Sequence, residues 1–287
     1  MSIRFMVWLV AVATMATGGD AAEARWKDQK LAEGTSHKGH LVASEVYTPV
    51  AHAKGHTFAI FADAKDRPMV IHVDPAGQAT TVPLDPKDDY RGFPDGHNGF
   101  SVGIDKNGYL HVTGDMHQFG AGQARDGRYR YPERYDDKKG AAMLYWRSRK
   151  PWSAAEGFEF RGDRGSKHLM PGNSWTYGRF FGDTKGELYY SSRVRAFWAK
   201  DFKIPSARQG AMALGLYRYD VDKETWRAIG GHPDTDPKNT ASKHRVLFWA
   251  RSGRADTGGN YQVYQSGFCF DQSNRLHLAV HAIVGPE

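Results

Sequence analysis

The sequence predicts an all-β fold of the propeller class, and three observations predict it. Long segments with a 3.6-residue apolar period are absent from the 287 residues, while short alternating apolar runs bounded by Gly, Asp, Asn and Pro recur along them. Several of these runs pair off around a shared turn. The turn-centred units then repeat, which is how a propeller appears in sequence.

The units align by eye. One reads Phe100-Ser-Val-Gly-Ile-Asp-Lys-Asn-Gly-Tyr-Leu-His-Val-Thr113, another Arg179-Phe-Phe-Gly-Asp-Thr-Lys-Gly-Glu-Leu-Tyr-Tyr190, a third Gly267-Phe-Cys-Phe-Asp-Gln-Ser-Asn-Arg-Leu-His-Leu-Ala279. A weaker unit is Ala59-Ile-Phe-Ala-Asp-Ala-Lys-Asp-Arg-Pro-Met-Val-Ile71. Each enters a turn written Asp-x-x-(Gly/Asn/Asp), whose last residue suits a left-handed backbone, and leaves it as a second strand, so each is a β-hairpin. Asp63, Asp105, Asp183 and Asp271 anchor the turns. Strand-like pieces between them, Met143–Trp146, Phe158–Phe160 and Leu216–Tyr219, fill out about four strands per unit. Three such units and a closing hairpin, about four blades, are expected over residues 25–287. The aromatic residues of the 119–150 insertion fit a loop wall or ordinary packing equally.

The N-terminus carries Arg4, an apolar run from Phe5 to Ala16 and an Ala-x-Ala pattern ending at Ala24. That order is a secretory signal peptide over residues 1–24, too short to span a membrane. A secreted or periplasmic monomer without a membrane anchor is therefore expected. The single Cys269 excludes an internal disulfide framework and a cysteine-rich metal site, so stability must come from one packed core, for which 40% hydrophobic and 13% aromatic residues suffice. The net charge of +7 suggests a polyanionic partner. The cations are scattered among Asp and Gly rather than gathered in a stripe, which argues against nucleic acid and leaves an acidic polysaccharide.

Register counted outward from the Asp105 turn sets His97 opposite His117, and the same count from Asp183 sets Tyr177 opposite Arg193. In the last unit the equivalent pair is Gln265 and His281. Matched ends of successive hairpins thus carry groups that transfer protons or hold an anion. Asn98, Tyr190 and Arg195 lie beside them and, with Gln265 and His281, are candidates for substrate contact.

The stretch Gly96-His-Asn-Gly-Phe-Ser-Val-Gly-Ile-Asp-Lys-Asn-Gly-Tyr-Leu-His-Val-Thr-Gly-Asp-Met-His117 resembles the signature of the ulvan lyase propellers and their BNR-repeat relatives. In that family a pair of histidines is followed by a tyrosine and then an arginine, in the order and spacing of His97, His117, Tyr177 and Arg193. The resemblance covers about residues 40 to 285. It implies a seven-bladed propeller, of which this chain would be a C-terminally short version. It also implies cleavage of a uronic-acid-containing, sulfated polysaccharide such as ulvan by β-elimination between C4 and C5, needing no cofactor for the chemistry and admitting a structural metal ion. No residue here can be assigned as a metal ligand. Arg193 would neutralise the uronate carboxylate with help from His117, while His97 and Tyr177 would act as base and acid. Two other classes stay open: a sialidase-like hydrolase, which would need carboxylates at the rim where only Asp95 and Asp115 stand, and a non-catalytic propeller that binds acidic glycans.

Overall fold

The computed structural model describes residues 47–85 apart from 64 and 66, 87, 90, 98–117, 119, 135, 140–171, 175–196, 211–229, 246–249 and 261–284, with two short strands before them. Those two, β1 (Phe5–Trp8) and β2 (Lys30–Gly34), pair antiparallel. A first four-stranded meander follows: β3 (Val50–Ala53), β4 (His56–Ala62), β5 (Pro68–Val73) and β6 (Ala79–Pro83). The second comprises β7 (Phe100–Ile104), β8 (Leu110–Gly114), β9 (Tyr145–Lys150) and β10 (Ser153–Phe160). The third runs β11 (Thr176–Gly182), β12 (Leu188–Ala196), β13 (Ala211–Asp220) and β14 (Thr225–Ile229), and β15 (Val246–Trp249) also pairs with β13. A hairpin of β16 (Tyr261–Phe270) and β17 (Leu276–Val284) ends the described chain. The meanders and the hairpin that follows them belong to an all-β propeller. Among the described residues no helix is long and apolar enough to cross a membrane.

The aspartate turns form because each carboxylate caps its own loop. Asp105 Oδ1 accepts the N–H groups of Asn107 and Tyr109 at 2.9 and 3.0 Å, and Asp183 Oδ1 does the same for Lys185 and Glu187, both at 2.9 Å. Asp271 Oδ1 accepts Arg275 N–H at 2.9 Å. A side chain that satisfies its own turn replaces water for donors the hairpin leaves unpaired. Gly108, Gly186 and Asn274 take up the left-handed conformation that the turn requires, at φ of 89°, 77° and 58°. The second oxygen grips a residue on the departing strand: His111 in the first turn (3.1 Å), Tyr189 in the second (3.4 Å), His277 in the third (3.1 Å). Burial opposes ionisation of Asp105, but His111 and the Tyr109 N–H outweigh it and hold the carboxyl below its ordinary range.

Asp63 departs from the expected scheme. It caps Lys65 and Arg67 in the same way, yet its turn joins β4 to β5, the second and third strands of its meander, whereas Asp105 and Asp183 join the first and second. The inner strand β3 turns back through Lys54-Gly55, with φ of 50° and 79°, and carries no aspartate. A capping carboxylate serves any tight turn between paired strands, so its presence does not say which strands are joined.

The core lies between blades. Phe58, Val70, Phe100, Val112, Trp146, Phe158, Phe180, Tyr217 and Trp226 belong to one buried cluster. Tyr135, Tyr145 and Trp146 from the aromatic insertion are buried in it, so for these residues packing is the explanation rather than a loop wall. Across the second and third blades Glu224, in the turn before β14, takes Arg147 and Arg161 at 2.9 Å each. The last hairpin stacks Phe268 on Phe181, centroids 4.7 Å apart.

Two histidines set the acid sensitivity of this packing. Burial, then the charge of neighbouring His56, holds His72 below the ordinary imidazole value; burial does the same to His111 against the opposing pull of Asp105. His56 Nδ1 and His72 Nε2 are 2.8 Å apart, a bond with room for one proton, while Trp152 lies against His56 with centroids at 5.4 Å. Lys54 Nζ stands over Trp152, and Asp74 pulls the other way on His72. Below pH of about 6.5 the unfolded chain binds more protons than the folded one, so this stability is complete above that pH and lost as pH falls toward the folded values. The melting temperature is expected to drop between pH 7 and pH 5, with a shallower slope in His72→Phe. Calorimetry at several pH values checks this; a pH-independent melting temperature contradicts it.

Candidate active site

The site forms where the inner hairpins of the second and third blades open away from their aspartate turns. Pairing of β7 with β8 runs in the expected register, Phe100 opposite Gly114, and continues to the Asp115 N–H bond on Gly99 O at 3.0 Å. Beyond it Asn98 and His117 close the end: Asn98 Oδ1 accepts the His117 N–H at 2.8 Å, and its amide group reaches the His117 carbonyl at 3.5 Å. His97 lies outside the described residues.

On β11 and β12 the expected pairing is altered by one residue. Thr176, not Tyr177, stands opposite Arg193, and regular pairing resumes with Arg179 opposite Ser191. Tyr177 and Gly178 together oppose Ser192, a β-bulge that re-aims the side chain before it. Tyr177 consequently sits at φ 55°, a left-handed conformation that costs a bulky residue of order 1–3 kcal/mol and persists only when its surroundings over-determine it. The same bulge recurs in the last hairpin, where His281 opposes Tyr264 and Gln265 opposes Val280, so Gln265 and His281 are not the opposed pair the count predicts. A bulge conserves the turn and shifts everything past it, which counting from the turn cannot register.

The bulge brings three predicted residues together. The His117 and Tyr177 rings stack with centroids 5.8 Å apart and 29° between planes, and the Arg193 guanidinium carbon stands 4.4 Å from the Tyr177 centroid. Arg193 Nε donates to Thr176 Oγ1 at 3.0 Å, which fixes the side chain along the strand. Tyr177 and Arg193 are both buried, and a cation held against an aromatic ring in such a place is attracted more strongly than at an exposed one.

A fourth residue escaped the sequence reading. Tyr47, in the segment leading to β3, meets the Tyr177 ring edge-on at 6.2 Å. It lies flat on Gly99, where a Cβ would come within 2.6 Å of its ring, and its oxygen accepts the Gly99 N–H. Burial, then the charge of Tyr177, raises the Tyr47 phenol well above its ordinary value, so it stays protonated at physiological pH. No local signal in the sequence marks Tyr47; only the fold brings it beside residues far along the chain.

Other candidates fall elsewhere. Tyr190 is packed in the core with its hydroxyl beneath Gly178 rather than on the rim, because alternation along β12 turns it inward opposite Phe180. The Asn98 amide is engaged by the His117 backbone and so supports that histidine. Arg195 pairs with Met212 through the backbone; its side chain, like those of Gln265 and His281, lies outside the description. Of the carboxylates a hydrolase would need, Asp115 is buried and takes the Tyr90 hydroxyl at 2.5 Å, and Asp95 lies outside the described residues. Among the described residues no group of three or more His, Cys, Asp or Glu is placed to hold a metal ion.

The fold has solved counterparts. The polysaccharide lyase Uly1 superimposes with a TM-score of 0.54 at 14% identity, covering 98% of this chain and 57% of that one. A PL25 ulvan lyase bound to -[GlcA(1-4)Rha3S]- gives 0.52 at 15% identity, covering 86% of this chain and 47% of that one. This chain therefore spans about half the length of these structures, and the likeness is one of fold. No curated protein matches the sequence. The model of the BNR repeat-containing family matches residues 56–281. The chain belongs to the BNR repeat-containing family.

Proposed function

We propose that the chain is a polysaccharide lyase that cleaves an acidic, uronate-containing polysaccharide such as ulvan by β-elimination. The observation that carries this reading is Tyr177 held at a left-handed bulge with Arg193 and His117 against its ring. The net charge of +7 suits a polyanion, and two structural counterparts are named polysaccharide lyases.

The chemistry follows from what opposes it. Removing the C5 proton of a uronate places negative charge beside a carboxylate that is already negative. A guanidinium fork neutralises that carboxylate, and each donor aimed at the developing enediolate is worth about 2.7–4 kcal/mol. Arg193 has this role. The C5–H electron pair then forms the C4=C5 double bond as the C4–O bond breaks, and the departing oxygen takes a proton from the Tyr177 hydroxyl. In glucuronate the C5 hydrogen and C4 oxygen share one face, so Tyr177 can serve both steps, with the deprotonated phenol taking the C5 proton first. In iduronate they lie on opposite faces, and a histidine, His97 or His117, is required as the base.

Incubation with ulvan and with other uronate polymers is expected to raise the absorbance of the unsaturated-uronate band. Release of saturated reducing ends without that band would assign the site to hydrolysis.

A further inference from the structure

Tyr177 needs something to hold it, because a tyrosine does not rest at φ 55° unaided. The bulge is tied to two other parts of the fold at one atom. Ser101, fully buried on β7, donates its hydroxyl to Gly178 O at 2.5 Å, and the same Oγ accepts the Thr48 N–H at 2.7 Å. Thr48 O in turn accepts the Val102 N–H at 2.8 Å. The segment that carries Tyr47 is thereby laid along β7, with the Tyr47 ring against Tyr177. Three stretches remote in sequence meet at the Ser101 hydroxyl, and the carbonyl it holds belongs to the residue after Tyr177.

We propose that Ser101 is a positioning residue: its hydroxyl fixes the Tyr177–Gly178 bulge, and with it the direction of the Tyr177 phenol. The significance for turnover rests on the lyase reading of Tyr177. Ser101 touches no reacting group. It acts by binding the Gly178 carbonyl in place while its own oxygen is saturated by Thr48, so neither polar group is left unpaired in a buried place. Without it the peptide after Tyr177 is free to relax toward a conformation that a tyrosine prefers, and the phenol swings away from Arg193.

The test is a set of variants read by kinetics and by spectroscopy. In the full chain, Ser101→Ala is expected to lower kcat on a uronate polymer about 10- to 100-fold, the effect of a displacement of about 1 Å in a reacting group, with KM changed less than about twofold. Ser101→Thr, which keeps the hydroxyl, is expected to recover most of that loss. In a Tyr177→Phe background Ser101→Ala is expected to add nothing, since a residue that acts through Tyr177 has nothing left to position. The ring carbon resonance of Tyr177 in protein labelled with ¹³C-tyrosine, assigned by its disappearance in Tyr177→Phe, is expected to move in Ser101→Ala while resonances of remote tyrosines stay. Ser101→Cys fills the same volume with a weak donor and serves if the alanine variant does not fold. A folded Ser101 variant with unchanged kcat and an unmoved Tyr177 resonance overturns the proposal, as does an equal loss in both backgrounds. If the wild-type chain forms no unsaturated product from any uronate polymer, the lyase reading fails by itself; a moved resonance then still upholds the positioning role, and an unmoved one overturns it.

Discussion

Arg193→Ala is expected to remove most turnover on a uronate polymer, a loss of about 10²- to 10³-fold in kcat, because it withdraws the cation that offsets the substrate carboxylate as C5 gives up its proton. Arg193 is the guanidinium at the Tyr177 ring, and its Nε bond to Thr176 Oγ1 sets its direction. Arg193→Lys keeps the charge but loses the planar fork, so it is expected to fall between wild type and alanine. Tyr177→Phe should be nearly as severe as Arg193→Ala: the ring and its packing against His117 and Tyr47 persist, while the phenolic proton is gone. Rates from the unsaturated-product absorbance check both variants, and circular dichroism confirms that they fold. Full turnover in Tyr177→Phe would make the tyrosine structural.

The second large effect is on folding and site together. Gly178→Ala is expected to destabilise the protein by about 1–3 kcal/mol, the usual consequence of forcing an extra carbon into a packed core. A Cβ on Gly178 would come within 1.9 Å of the Tyr190 hydroxyl and within 2.4 Å of the ring carbon that bears it. Tyr190 is fully buried and has no room to retreat. The bulge must therefore shift, carrying Tyr177 with it, so activity should fall further than the lost stability explains. Thermal unfolding and kcat on the same sample check this. An alanine variant with wild-type melting temperature would mean that the bulge is more adaptable than its packing indicates.

The hairpin turns were legible because their cause is local. An aspartate whose carboxylate bonds the N–H groups two and four residues ahead, followed by a residue able to adopt positive φ, is a complete structural unit within five positions, as at Asp105 and Asp183. Which strands such a turn joins is decided elsewhere, and Asp63 shows this by capping the second turn of its meander rather than the first. The gathering of His117, Tyr177 and Arg193 was also legible, since hairpin pairing carries register outward from the turn. The bulge was not. It is held by a hydrogen bond from Ser101 and packed over Tyr190 under Gly178, contacts spanning 77 residues in the first case. Tyr47 was illegible for the same reason, and Tyr190 was misplaced because a polar tip on an aromatic ring looks alike in a core and on a rim.

Mass analysis of the oligosaccharides released from a glucuronate–rhamnose polymer tests the central claim most directly. Elimination predicts products whose non-reducing ends are lighter by one water than those of hydrolysis, formed by the wild-type chain and strongly reduced with Tyr177→Phe. Products of full hydrolytic mass, formed at equal rate by both proteins, would contradict the assignment of Tyr177 and the reaction class together.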